Sequence, residues 1–393
     1  MNTNSDEFRR KLALLLASSL TVMSNATIAA AMPRMAAVFS ETPHAEFLTK
    51  LILTTPALMI VICAPLAGML IDRFGRLRFL QANLVLYGFA GAVAYVLNDL
   101  THILAARALL GVAVAGIMTT TSTLLGDYFS GEERIRFAGT QSLFMSLGGV
   151  VFIGAGGILA EISWRLPFLI YLSSWLVLVP VVLFLKEPER HLHRRVEEPY
   201  RPAPVGALAL AYALIFFCLV MFYMTPVQIP FLLRDRGIDS SLAAAGPIVL
   251  GSLASAVSAL LLRPLRRAMG YVTIYAVSML FVSLGYVVIF ASDTYVPVLV
   301  GAAITGFGVG VIFPNSGLWV TALAPPRLRG RLLGLMTASV FLGQFSSPIL
   351  VQPSVSALGL KATFGVFAAI AACVAIALFA FRVRLEPAGL RRA

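Results

Sequence analysis

The chain has 393 residues, 59% hydrophobic and 12% charged, with a formal net charge of +12 and a mean hydropathy of +0.90. The charged fraction is about half that of a soluble domain, and no single core could hide so much apolar surface, which excludes a water-soluble globular protein. Spans of about twenty apolar residues, each able to cross a ~30 Å hydrocarbon layer as helix, account for the excess.

The opening, "MNTNSDEFRRKLALLLASSL", sets basic residues before an apolar run, as a secretory signal would. That run continues through "TVMSNATIAAAMP", so 12–33 is predicted to be a first span rather than a leader. Its middle carries Ser24, Asn25 and Thr27 but no acid, and Arg34 follows Pro33 at its end. A second helix is predicted over 47–70, with Lys50 four residues after Glu46, a spacing that permits an ion pair. The loop after it, "GMLIDRFGRLRF" at 68–79, concentrates Asp72, Arg73, Arg76 and Arg78 between oily segments.

Helices over 79–97, 102–125, 137–160 and 167–185 come next. The fourth holds Arg107, a charge that costs roughly 3 kcal/mol inside a span. Its threonine run, 119–123, is expected to bond back onto its own helix. Then comes the longest polar interruption, "KEPERHLHRRVEEPYRPAP" at 186–204, whose "HLH" is too short and too solvated for a metal site. Further helices are predicted over 206–229, 242–262, 272–291, 295–319, 332–352 and 362–381. The seventh carries two prolines in "MTPVQIP" and the tenth several glycines in "TGFGVGVIFP", features that could let either helix bend. Cys63, Cys218 and Cys373 sit in apolar segments, where buried thiols are the expectation.

Of the 30 Lys and Arg, 23 fall at the two termini, the loops near 73–78, 134–136, 263–267 and 327–331, and the 186–201 segment. With twelve spans these are alternate connections, the pattern that places both termini in the cytoplasm. The basicity marks topology and not a nucleic-acid site. The halves also repeat. A shift of 195 residues puts Gly75 on Gly270, Gly111 on Gly306, Arg134 on Arg329, Arg136 on Arg331 and Gly148 on Gly343. Two parallel six-helix halves are an arrangement seen in transporters, with the substrate held between them. The expected organisation is therefore a bundle over 1–185, a cytoplasmic linker over 186–205 and a second bundle over 206–393.

"GMLIDRFGRLR" resembles the loop signature between the second and third helices of the major facilitator superfamily, with Gly68, Asp72, Arg73, Gly75, Arg76 and Arg78 in place and Leu77 where a basic residue is usual. "LAARALLGVAVAG" (104–116) and "SWRLPFLIY" (163–171) are similar to the family's fourth- and sixth-helix signatures. The resemblance implies an all-α membrane protein with twelve transmembrane helices in two pseudo-symmetric bundles. It also implies that the loop forms an inner-gate latch in which Asp127 engages Arg76. Gly68 would let another helix approach and Gly75 would permit a tight turn. The second half's "RPLRRAMG" keeps the glycine but not the acid.

Within the family the chain is similar to drug and metabolite:proton antiporters, which implies efflux from the cytoplasm across a bacterial inner membrane. Their fifth-helix glycine signature is half present: Gly148, Gly156 and Gly157 align, but Phe152 and Ile153 stand where Gly-Pro is expected. No Asp or Glu lies central to a predicted span; Glu161, among others, reads as part of an outer loop, and Asp127 and Glu46 remain as candidate protonation sites. Two readings of Arg107 stand: a structural bond to carbonyls of the first helix, or a hold on an anionic substrate. Candidate cavity residues are Asn25, Arg107, Gln141, Tyr223, Gln228, Asn315 and Gln344. A transporter of a small anionic or neutral molecule is expected, exchanging protons, monomeric in the bilayer, with no cofactor, metal, nucleic acid or catalytic residue. The alternative is an importer or facilitator of a small organic anion.

Overall fold

A computed structural model describes residues 3–188 and 204–385. Among the described residues the chain is helical throughout, with no strand. The principal helices are α1 (Thr3–Ala26), α2 (Ala45–Phe74), α3 (Arg76–Ala92), α4 (Leu100–Tyr128), α5 (Gly131–Ile162) and α6 (Ser173–Phe184, entered through a 3₁₀ stretch, Leu166–Leu172). They are followed by α7 (Val205–Asp235), α8 (Ser241–Leu260), α9 (Tyr271–Ala291), α10 (Tyr295–Gly310, continued by Ile312–Leu323) and α11 (Arg329–Leu385). Among the described residues eleven helical segments are long and apolar enough to cross a membrane, the last of them 54 residues long. About twenty residues suffice for one crossing, so α11 makes two, divided at Gly359, whose φ of 80° is the only non-helical geometry in it. Twelve crossings result.

Local chemistry explains the ends. α1 breaks after Ala26, and a second short helix, Met32–Val38, starts with Pro33 in its first turn, where a missing N–H costs nothing. Asp99 caps α4: its Oδ1 accepts from the Thr101 amide at 2.8 Å and the His102 amide at 3.0 Å. The His102 amide bond, with that from Thr101, holds the Asp99 carboxyl below its usual range against the opposing effect of burial. The threonines of α4 turn inward on their own helix, Thr119 Oγ1 to Ala115 O at 2.8 Å and Thr123 Oγ1 to Thr119 O at 2.9 Å. α7 runs unbroken through Pro226 and Pro230.

The chain divides into two compact units, residues 1–194 with Ser240–Ala245, and 195–239 with 246–393. In the first, Gly111 lets α4 close on α2: an added Cβ would lie 2.7 Å from Pro56 and Met59. Gly148 sets α5 on α1, 3.2 Å from the Ser19 Cβ. The second unit makes the equivalent helix contacts at the equivalent glycines. A Cβ on Gly306 of α10 would collide with Gly251 of α8, and one on Gly343 of α11 with the Phe216 carbonyl of α7. The repeat at a spacing of 195 is thus a repeat of helix contacts. It does not extend to the loop glycines, since Gly75 has φ 88° and Gly270 an ordinary −74°.

Three expectations are corrected. Glu161 belongs to the last turn of α5, not to a loop. A Cβ on Gly68 would meet nothing within 4 Å, so the close helix approach expected there is not made. Of the thiols, Cys218 is buried but Cys63 is half-buried and Cys373 exposed, because an apolar helix also has a face that no other helix covers.

Candidate functional site

Arg107 is fully buried in α4. Its Nε donates to the Ile52 carbonyl of α2 at 3.1 Å, its Nη1 to the Tyr171 hydroxyl at 2.8 Å, and its Nη2 to the Ser24 carbonyl. Tyr171 donates to the same Ser24 carbonyl at 3.0 Å and presents its ring 5.3 Å from the guanidinium carbon. Ser24 O lies just before the break between α1 and the next helix, where a carbonyl lacks its intrahelical partner. The arginine therefore ties α2, α4 and the broken end of α1 together. Lys50 is also fully buried, with its Nζ 2.5 Å from Glu46 Oε1, while Glu46 remains half-exposed.

At the basic end of the first unit, the chain turns from α2 into α3 at Gly75. Arg76 Nε lies 3.0 Å from Asp127 Oδ2 on α4. Glu187 lies just beyond α6, more than a hundred residues along the chain. Its Oε1 accepts from the Arg76 amide at 2.7 Å and its Oε2 from the Leu77 amide at 2.8 Å. A carboxylate there satisfies two free N–H groups at the positive end of α3. Asp72 and Arg73 stand exposed on the last turn of α2.

The remaining polar candidates separate by how well they are satisfied. Gln141 Nε2 donates to Ser18 Oγ on α1 at 2.6 Å, and Tyr223 is half-buried on α7. The Asn25 side chain lies outside the described residues, as do 189–203 with the "HLH" run. Gln228 on α7 is fully buried, and neither its amide oxygen nor its nitrogen has a hydrogen-bond partner. Asn315 donates to the Tyr271 carbonyl at 3.2 Å but leaves Oδ1 unmatched, and Gln344 leaves Nε2 unmatched. A buried polar group without a partner costs roughly 1–3 kcal/mol, so three helices of the second unit hold unused hydrogen-bonding capacity. Among the described residues no group of three or more His, Cys, Asp or Glu could hold a metal ion.

Two residues that sequence reasoning passed over stand out: Glu187, read as linker, and Glu161, read as loop. The Glu-Pro pair directly after the sixth helix is the one local signal of Glu187.

The sequence profile of the Major Facilitator Superfamily matches residues 14–268 and 211–393. The bacillibactin exporter of Bacillus subtilis (strain 168) is 33% identical over 153 residues, a segment that covers only 37% of that protein and 37% of this chain. The 3-(3-hydroxy-phenyl)propionate transporter of Escherichia coli (strain K12) is 27% identical over 345 residues, 82% of this chain and 83% of that one. The class C tetracycline resistance protein of Escherichia coli is 25% identical over 357 residues, 86% and 88% of the two chains. In structure the chain is similar to a D-xylose-proton symporter, with a TM-score of 0.77 at 13% identity, over 95% of this chain and 97% of that one. The likeness at that identity is one of fold.

Proposed function

The chain belongs to the major facilitator superfamily and is a multi-pass membrane transporter, not an enzyme; from that premise we propose that it exports small organic molecules by alternating access, in exchange for protons. The two six-helix halves, 1–185 and 206–393, alternately open the pathway. The substrate meets the polar groups of α7, α10 and α11, with Gln228, Asn315 and Gln344 as the principal contacts and Tyr223, Gln141 and Asn25 as further lining. The buried amide of Gln228, unmatched at both its atoms, is the observation that carries this reading: a hydrogen-bonding substrate would supply what it lacks. Its chemistry is neutral and suits neutral or zwitterionic polar substrates.

The loop at the basic end acts as the inner gate. The Arg76–Asp127 pair and the Glu187 carboxylate hold the start of α3 around the Gly75 turn, with Asp72 and Arg73 as the charges that re-pair when the gate moves, and Gly68 on the same face of α2. The protein works as a monomer in the bacterial inner membrane with both termini in the cytoplasm. Efflux draws support from relatives named as an exporter and a resistance protein.

A second reading, uptake or facilitated passage of an organic anion, draws on the hydroxyphenylpropionate transporter, which aligns with most of the chain. The engagement of Arg107 at each of its three nitrogens weighs against its holding a substrate anion, and so against that reading. Proteoliposomes with an imposed pH gradient and an internal pH dye decide between them. Substrate-dependent proton movement opposite to substrate flux is the expected result, whereas substrate flux with a silent dye rejects antiport.

A further inference from the structure

We propose that Glu161 is a proton-binding site of the transport cycle, holding the start of α8 when ionised and releasing it when protonated. The proposal rests on the proton-coupled reading above and names the group that binds the proton.

Glu161 sits in the last turn of α5, at the end opposite the basic start of that helix. A carboxylate is unfavourable there, because the C-terminal end of a helix dipole is negative. The surroundings compensate. Arg34 Nη1 donates to the carbonyls of Ala160 at 2.8 Å and Glu161 at 2.6 Å, capping the helix end, and Arg34 Nη2 lies 2.5 Å from Glu161 Oε2. From the other side, Ser240 Oγ reaches Glu161 Oε1 at 2.6 Å, and the Ser241 amide donates to Oε2 at 3.0 Å.

The directions of these bonds decide what the site can bind. Ser240 Oγ also accepts from the Ala243 amide at 3.1 Å, as the cap of α8, so its own proton points at Glu161. Arg34 and the Ser241 amide can only donate. Each of these groups around the carboxylate is therefore a donor, and a proton on either oxygen finds no acceptor among them. Protonation must break at least one bond and removes the charge that answers Arg34. The charged group facing Glu161 is Arg34, from the helix Met32–Val38; α8 carries no charged residue, and those of α5 other than Glu161 itself lie at its far, basic end. The exposed Asp239 precedes Ser240 in the turn, and the nearby Arg165 is turned to the Tyr95 and Leu97 carbonyls and to Asn98. Glycines one turn earlier bring the partners close: a Cβ on Gly156 would collide with the Thr27 carbonyl, and one on Gly157 would lie 2.7 Å from the Ala245 Cβ. The Glu161 side chain keeps 34% of its surface exposed, so a proton from the aqueous phase at that end reaches it. The predicted spans hold no central acid, and this junction supplies one at their edge.

The test places a thiol at Ser241, whose hydroxyl is buried without a partner and whose amide bond to Glu161 survives the change. In a protein with Cys63, Cys218 and Cys373 replaced by alanine, the labelling rate of Ser241→Cys by a membrane-impermeant pyridyl disulfide, which still reacts with thiols in acid, is measured in liposomes from pH 7.5 down to about pH 3. The same is done with Glu161→Gln added, and the ratio of the two rates cancels the thiol's own titration. With Glu161 present, labelling is expected to be about tenfold slower at pH 7.5, the effect of one charge-assisted hydrogen bond, and to approach that of the Glu161→Gln protein only as the pH falls below the ordinary carboxylate range, because, against the effect of burial, Ser240, the Ser241 amide and Arg34 hold the carboxyl down. Ser240→Ala, which removes one donor and leaves the acid, should move the transition to higher pH. A ratio that stays flat with pH, or a transition unmoved by Ser240→Ala, overturns the proposal. The same liposomes report proton movement during transport. If labelling switches while transport moves no protons, antiport fails and with it the site's part in the transport cycle, and Glu161 is left as a pH-dependent hold on α8; if transport moves protons while the ratio stays flat, the site fails and antiport stands.

Discussion

A full positive charge buried in a span is sustained only by what surrounds it, and Arg107 is surrounded by oxygen: two main-chain carbonyls and a tyrosine hydroxyl. Arg107→Ala would leave those groups buried and unmatched. It should lower stability by about 3 kcal/mol or more, seen as a large drop in melting temperature in detergent, while Arg107→Lys keeps the charge but loses the fork and falls between. If Arg107→Ala melted like the parent and lost only anion transport, the structural role would be wrong. Gln228 is the opposite case, a polar group that the fold leaves unanswered. Gln228→Leu should keep or raise the melting temperature by removing that burden, and raise the KM for a polar substrate; a clear fall in melting temperature would point to a bonded amide instead. At this scale the sequence was informative where cost alone singles a residue out, as for the intramembrane arginine. It was silent on Glu187, whose partners at 76 and 77 lie beyond the reach of any local pattern. It misplaced Glu161, because the helix runs two residues further than the apolar run that announces it.

Between elements, small residues set the packing. In lipid there is no hydrophobic force between helices, so close backbone approach carries the association. The Gly306 and Gly310 face of α10 meets Gly251 and Ser255 of α8, where an added Cβ collides with main chain. Backbone cannot step aside as a side chain can. Gly306→Val should therefore destabilise by about 2 kcal/mol or more. Gly317, in the continuation of the same span, faces open space, and Gly317→Ala should be neutral or stabilise by up to about 1 kcal/mol. Thermal melting of both variants checks the pair, and equal losses would contradict a packing origin. The half-present glycine signature of α5 has the same explanation: Gly148, Gly156 and Gly157 are each seated against a neighbour. Their spacing was visible in the sequence. Which neighbour each one meets was not, since glycines that pack and glycines that face open space look alike in one dimension.

For the molecule as a whole, twelve crossings follow from the apolar lengths, and the proposed direction of the chain follows from where its basic residues fall. The connections at the two ends are unequal. At the end opposite the basic loops they are short: residues 39–44, 93–99, 163–165, 236–240 and 292–294, and at the last crossing only the bend at Gly359. The basic side chains among and beside them are engaged. Arg165 is bonded to three groups, Arg236 donates to the Ile289 carbonyl at 3.2 Å, and Lys361 lies 2.5 Å from Asp293. The Lys361 bond and charge hold the Asp293 carboxyl below its usual range, so that pairing persists to acid pH and is lost only below the ordinary carboxylate value. Trypsin added to that face of sealed vesicles should thus leave the chain whole, whereas from the other face it should cut near 73–78, 186–201 and 327–331. Rapid cleavage from the first face would reverse the proposed orientation. In the proposed orientation the protein offers the exterior almost nothing to grip: proteases and antibodies arriving from outside would meet a surface of tight turns, and what can be cut or recognised would face the cell's own interior.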